Sequence, residues 1–225
     1  MATHIDPTFE MVTHFQKLAE HDKAVLAREL HDELGGLLIG AVMDVALLAP
    51  RIAALGGDSP QRMGRIRQAL QSAIEVTRRI TEHLRPTLLD NVGLFSALRW
   101  QLRNICAKSN LKCTENFPDA ELSLTSDASI ALFRSTQEAL LVGVERPGVT
   151  EIVLAATIDD EALSIQVMGN GAKLPNEPRE LVSITLESVR HRVRALGGAV
   201  IVEHPPSGGI LLAVTAPIAT VMKLG

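Results

Sequence analysis

Apolar residues in the first half of the chain recur with a helical period. Leu26, Leu30, Leu34, Leu37, Ala41, Val45 and Leu48 step by four, four, three, four, four and three, which predicts a long helix with one apolar stripe. Asp6-Pro7 is a helix-start signal, and Pro50 is expected to end or kink the helix. Forty-odd residues at 1.5 Å each make a rod of roughly 60 Å. Leu55-Gly56-Gly57-Asp58-Ser59-Pro60 is a dense turn signal. A second stripe, Met63, Ile66, Leu70, Ala73, Thr77, Ile80 and Leu84, predicts a second helix closed by Arg85-Pro86. A single hairpin cannot cover both of its own seams. Two hairpins can, as a four-helix bundle, so a homodimer is expected.

The period changes in the second half. After a helix around Leu94 to Ala107, strand-like runs cover Thr150 to Ile158, Ala162 to Met168, Ala199 to His204 and Gly209 to Ala216. Asp159-Asp160-Glu161 reads as a hairpin turn between the first two. Helices are expected over Asp127 to about Glu145 and over Leu181 to Leu196, the latter closed by Gly197-Gly198. The fold class is therefore α+β. Residues 8–90 form the helical hairpin of a dimeric four-helix bundle, and residues 91–225 form an α/β sandwich with a mixed sheet.

Composition narrows the function. The chain has 225 residues, 22 Lys+Arg against 26 Asp+Glu, for a net charge of −4. That balance argues against nucleic-acid binding, which needs a basic face. Aromatics are 3%, too few for a base-stacking surface. Cys106 and Cys113 form neither a disulfide framework nor a zinc cluster and are expected as reduced thiols. The N-terminus lacks a secretion signal. The most apolar window, Leu34 to Pro50, is broken by Asp44 and shorter than the about 20 residues that span a bilayer. A cytoplasmic chain with no membrane insertion is expected.

The segment with most chemistry is Ala27-Arg28-Glu29-Leu30-His31-Asp32-Glu33-Leu34-Gly35-Gly36. His31 follows a stripe residue and so points about 100° off the stripe. A neutral imidazole is a nucleophile near pH 7, and an adjacent carboxylate, Asp32, can orient it and stabilise the charge gained on attack. Gly35, four residues on, and Gly36 cost roughly 1 kcal/mol each in a helix, tolerable if bare backbone makes room for a partner. The bland reading is an ordinary surface histidine. Glu33, Gly35, Leu38 and Val42 are the expected partner contacts around it.

This box resembles the phosphoacceptor box of sensor histidine kinases, in the subfamily that writes it R-E-L-H-D. Three more blocks are similar to that subfamily in the same order. They are Leu84-Arg85-Pro86-Thr87-Leu88-Leu89-Asp90-Asn91-Val92-Gly93-Leu94, Phe133-Arg134-Ser135-Thr136-Gln137-Glu138-Ala139-Leu140, and Arg190-His191-Arg192-Val193-Arg194-Ala195-Leu196-Gly197-Gly198. The resemblance implies that His31 is the phosphorylated residue, Asp32 its acid–base partner and the bundle a dimer interface.

Departures from the family pattern cluster at its ATP site. The Mg²⁺-holding Asn, four residues after Glu138, is Val142, and an aliphatic group cannot ligate a hard cation. The Lys-His-Ala run is Glu145-Arg146-Pro147. The D-x-G-x-G box is Gly169-Asn170-Gly171-Ala172-Lys173, with Gly169 at the adenine-reading Asp and Lys173 at the last Gly. The phosphate-wrapping G-x-G is Ser183-Ile184-Thr185. ATP and Mg²⁺ are therefore expected not to bind, and no metal site is expected. The Gln that positions a hydrolytic water five residues after the phosphoacceptor is Gly36, so phosphatase activity is not assigned.

Elsewhere, His4, His14, His21, His83, His191 and His204 show no metal spacing. Arg78 and Arg79 could meet an acidic partner, and Ser207-Gly208-Gly209 reads as a hairpin turn. The favoured reading is a histidine phosphotransfer protein exchanging phosphoryl groups with receiver-domain aspartates of response regulators. An autokinase with an atypical ATP site and a non-enzymatic adaptor are the alternatives.

Overall fold

The computed structural model describes residues 7–54, 56–172, 179–206 and 208–223, and for residues 7 and 179–185 the backbone alone. The chain is α+β, with an N-terminal helical region and a C-terminal sheet covered by helices. It divides into two compact units, His14–Thr87, and Leu88–Gly225 with Met1–Thr13.

The first unit is a helical hairpin. Helix α1 (Pro7–Glu29) runs through a turn, Leu30–Leu34, into α2 (Gly35–Ala53), which packs antiparallel against α3 (Ser59–Leu84). Gly56 and Gly57, both at positive φ (67° and 63°), let the chain reverse between them. Pro50 does not end the helix. It lies inside α2, and the helix continues to Ala53.

That continuity overturns the expected location. Thr8–Ala53 runs as one helix, long and apolar enough to cross a membrane by length and composition, and none of its most apolar stretch is buried. The sequence count stopped at Pro50 and treated Asp44 as a break. The expectations of a cytoplasmic chain and of no membrane insertion do not stand.

The second unit is a two-layer sandwich. Short α4 (Thr87–Asn91) leads into α5 (Leu94–Ser109), then β1 (Lys112–Asn116), α6 (Ser126–Val144), β2 (Glu151–Ile158), β3 (Ala162–Gly169), α7 (Arg179–Arg194), β4 (Ala199–Glu203), β5 (Ile210–Pro217) and α8 (Ile218–Val221). The sheet order is β1-β2-β3-β5-β4, with β1 parallel to β2 and every other pair antiparallel. One face is apolar by period-two alternation. Ile152 and Leu154 of β2, Leu163, Ile165 and Val167 of β3, and Ile210, Leu212 and Val214 of β5 are all buried. Against them lie Phe95 and Leu98 of α5, Phe133 and Leu140 of α6, and Val189 and Val193 of α7.

Strand β1 was not expected. Its composition is polar, Lys-Cys-Thr-Glu-Asn, and it is held by parallel pairing with β2. It also corrects the reading of the cysteines. The end of α5 turns back through Asn110, in the left-handed region at φ 54°, directly into β1. This brings Cys106 and Cys113 to a Cα separation of 6.3 Å, and they form a disulfide.

Gly93, in the second matching block, has a physical reason. Its φ is 110°, and a Cβ there would lie 2.5 Å from the Glu121 carboxylate. That carboxylate accepts from the Phe95 and Ser96 amides at 2.9 and 2.6 Å, capping α5.

Candidate functional site

Leu30–Leu34 is a π-helical turn, so the turn that carries His31 is wider than the helix on either side of it. The Gly35 amide donates to the Leu30 carbonyl five residues back, rather than to a carbonyl four back. The consequence is visible in what faces inward. Between His21 and Ala53 the residues that are not exposed are Lys23, Ala24, Val25, Ala27 and Leu30, then Gly35, Leu38, Ala41, Val42, Val45, Ala49 and Ile52, with none from His31 to Leu34.

His31, Asp32 and Glu33 are all exposed on this turn. The imidazole therefore stands in solvent with two carboxylates beside it in sequence. Such an arrangement can attack a phosphorus atom already activated elsewhere. The wide turn also redistributes the other expected positions. Leu34 and Leu37, assigned to the seam by a straight 3.6-residue period, are 40% and 73% exposed. Leu38 and Val42, assigned to the flank as partner contacts, are half-buried, as is Gly35. Gly35 thus does not share the open surface with His31.

The face left open on the hairpin is apolar. Met43 and Leu47 of α2 and Ile66, Val76 and Ile80 of α3 are exposed, and α2 has no fully buried residue.

In the second unit the residues that the resemblance sets at a nucleotide site make the following contacts. Val142 is buried on α6. Gly169 ends β3 opposite Ile152 of β2, and a Cβ at Gly169 would lie 3.1 Å from Ile152 Cδ1 and 3.4 Å from the Gly143 carbonyl oxygen. A side chain there would have to push Ile152 Cδ1 aside by a few tenths of an ångström. Asn170 braces the start of β2: its Oδ1 accepts from the Thr150 and Glu151 amides, both at 2.9 Å, and its Nδ2 donates to Thr150 Oγ1 at 2.9 Å. Gly171 is buried under Arg146, whose Cβ would lie 2.9 Å from a Cβ at 171. The Arg146 guanidinium donates to the Ala172 carbonyl at 3.4 Å. Glu138 is engaged by Arg192 of α7, Nη2 to Oε1 at 3.1 Å, and Arg192 also donates to Ser188 Oγ at 3.4 Å. Sequence reasoning missed Ile152 and Arg192, because nothing in a local motif shows what a distant strand or helix will press against it.

Lys173 and Ser207 lie outside the described residues, as do His4 and Leu55. Ser183 and Thr185 fall on α7, and their side chains are likewise outside them. Among the described residues, no group of three or more His, Cys, Asp or Glu is placed to hold a metal ion.

Comparison with known proteins fits both units. The histidine kinase family model HisKA_3 matches residues 22–89, which include His31. The chain is 30% identical over 187 residues to the signal transduction histidine-protein kinase/phosphatase UhpB of Salmonella typhimurium, covering 81% of this chain and 37% of that protein. It is 28% identical over 206 residues to the nitrate/nitrite sensor protein NarQ of Escherichia coli, covering 90% of this chain and 36% of the other. It thus spans a little over a third of the length of these relatives. The histidine kinase domain of the Erythrobacter litoralis blue-light activated histidine kinase superposes with a TM-score of 0.51 at 15% identity, over 82% of this chain and 95% of that one. That likeness covers the helical region and the sheet alike. The histidine-bearing helices thus match the histidine kinase family over residues 22–89, and the chain is similar to sensor histidine kinases over most of its length.

Proposed function

We propose that this chain is a histidine phosphotransfer protein of a two-component relay that works without ATP. An imidazole nitrogen of His31 attacks the phosphorus of a receiver-domain phosphoaspartate, the aspartate carboxylate leaves, and the phosphohistidine later returns the group to another receiver aspartate. Asp32 stabilises the charge on the ring. The receiver supplies its own acidic pocket and Mg²⁺, so the transfer asks this chain only for an exposed imidazole, an orienting carboxylate and a surface to dock on. Glu33 lies on that surface.

The observation that carries this reading is the contrast between the two units. His31 is open on its wide turn, while Ile152, Arg146 and Arg192 fill or engage the positions where relatives of this pattern hold nucleotide. The residues present do not fit Mg²⁺ or ATP: Val142 offers no ligand, Gly169 brings no carboxylate, and one oxygen of Glu138 is engaged by Arg192. A second copy of the chain covers the apolar hairpin face in the working protein, as in a four-helix bundle.

Incubation of a phosphorylated receiver with the wild type and with His31→Ala tests it. Label is expected to move to the wild type alone, and no label on either refutes it. Similarity to UhpB, a histidine-protein kinase/phosphatase by name, favours autophosphorylation as a second reading. Thermal melts over a range of Mg²⁺–ATP concentrations separate the two, because binding would stabilise the second unit by RT ln(1 + [L]/Kd).

A further inference from the structure

Residues 112–121 run back along helix α5 and touch one side of it. Phe95, Arg99, Arg103 and Cys106 are spaced by four, four and three, so they share a helix face. The returning chain meets them in reverse order. Cys113 is bridged to Cys106. Glu115 Oε1 accepts from Arg103 Nη2 at 2.8 Å. The Arg99 guanidinium lies 5.1 Å from the Phe117 ring centroid and donates to the Pro118 carbonyl at 3.4 Å. Phe117 also packs on Phe95, 5.5 Å between ring centroids. At the far end the Glu121 carboxylate holds the Phe95 and Ser96 amides. From Phe95 to Cys106 the helix rises roughly 16 Å.

The contacts of this strap are unequal. The Arg103 and Glu115 side chains are 71% and 30% exposed, and an ion pair in water contributes little. β1 is a polar edge strand, paired on one side only, and from Phe117 to Glu121 the chain is neither strand nor helix. The chain's two cysteines make the one covalent contact, and the short ring they close sets the register for the contacts beyond it. The two sulfurs also differ in access. Cys106 is 5% exposed and belongs to the core. Cys113 is half-buried on the sheet's edge, where an attacking thiolate can reach it.

We propose that the Cys106–Cys113 bridge is a redox modification site, opened by a dithiol reductant, that sets whether residues 112–121 stay clamped on α5. One thiolate of the reductant attacks Cys113 Sγ. The S–S bond breaks, and Cys106 leaves as a thiolate that takes up a proton. The reductant's second thiol, once deprotonated, attacks its own sulfur in the mixed disulfide and expels Cys113, which is protonated in turn. The bridge gains two electrons and two protons, and the reductant ends as a disulfide. With the covalent contact gone, the weak contacts give way in order and Glu121 lets go of the start of α5. This inference does not rest on the phosphotransfer reading.

The test reads the end of the strap farthest from the sulfurs. Hydrogen exchange of the Phe95 and Ser96 amides is followed on the full chain before and after dithiothreitol, with the core strand residues Ile165 and Val167 as internal references. Reduction is expected to speed Phe95 and Ser96 about tenfold or more while Ile165 and Val167 keep their rates, and reoxidation is expected to restore the slow exchange. Cys113→Ser should show the fast rates from the outset and ignore dithiothreitol. The proposal is overturned if the bridge stays closed in dithiothreitol under native conditions, or if it opens with Phe95 and Ser96 unchanged. It is equally overturned if Ile165 and Val167 accelerate by the same factor, because the bridge would then be holding the whole unit together and not a separate strap.

Discussion

Restoring the aspartate at position 169 asks whether the nucleotide site is physically closed. The Cβ of Gly169→Asp would lie 3.1 Å from Ile152 Cδ1 and 3.4 Å from the Gly143 carbonyl oxygen. Ile152 is a fully buried core residue on the neighbouring strand, and Gly143 lies on α6, so neither can swing aside as a surface side chain would. Forcing extra atoms into such a site costs about 1–3 kcal/mol. The carboxylate beyond the Cβ is then held among apolar groups, and without a partner it costs several kcal/mol more or takes up a proton. A total of about 3–6 kcal/mol is a large share of the 5–15 kcal/mol that holds a typical domain folded. At about 2–4 °C per kcal/mol, the melting temperature of the second unit should fall by roughly 6–24 °C. Gly169→Ala isolates the steric part and should cost about 1–3 kcal/mol. Gly169→Asp/Ile152→Ala makes room and should recover part of the loss while still failing to bind Mg²⁺ and ATP, since Val142 remains. Urea unfolding followed by circular dichroism gives the stabilities and calorimetry the binding. The closed-site reasoning is refuted if Gly169→Asp unfolds at the wild-type midpoint, or if it binds nucleotide.

Three further outcomes follow from particular contacts. Glu121→Ala strips the cap from the Phe95 and Ser96 amides and should destabilise the second unit by about 1–2 kcal/mol in urea unfolding, with Glu121→Gln recovering part. Asp159 accepts from the Ala162 and Glu161 amides, and those bonds hold its carboxyl below the ordinary aspartate range. Its stabilisation is therefore complete above that range and lost as pH falls through the depressed value; melts run from neutral to strongly acidic pH should show a step that Asp159→Asn lacks. Reducing the Cys106–Cys113 disulfide opens a short closed loop, worth about 2.5 kcal/mol by chain entropy. Urea unfolding with and without a reductant should differ by about that amount, and an unchanged midpoint would show that the bridge adds nothing.

How far the chain can be read without coordinates depends on how local each cause is. The long helices and four of the strands, though not the short α4 and α8, were legible because apolar spacing dictates which face is buried. Ile152, Leu154, Leu163, Ile165 and Val167 alternate, and they became one side of the sheet. β1 was not legible, because a short polar edge strand is stabilised by what pairs with it and carries no pattern of its own. The disulfide was misread for a similar reason: the assumption of a reducing compartment replaced a distance that only the α5–β1 turn sets. His31 was singled out by the resemblance of the box around it, and it is exposed, but its neighbours were misplaced. One added residue in one turn is invisible to a periodicity that tolerates steps of both three and four.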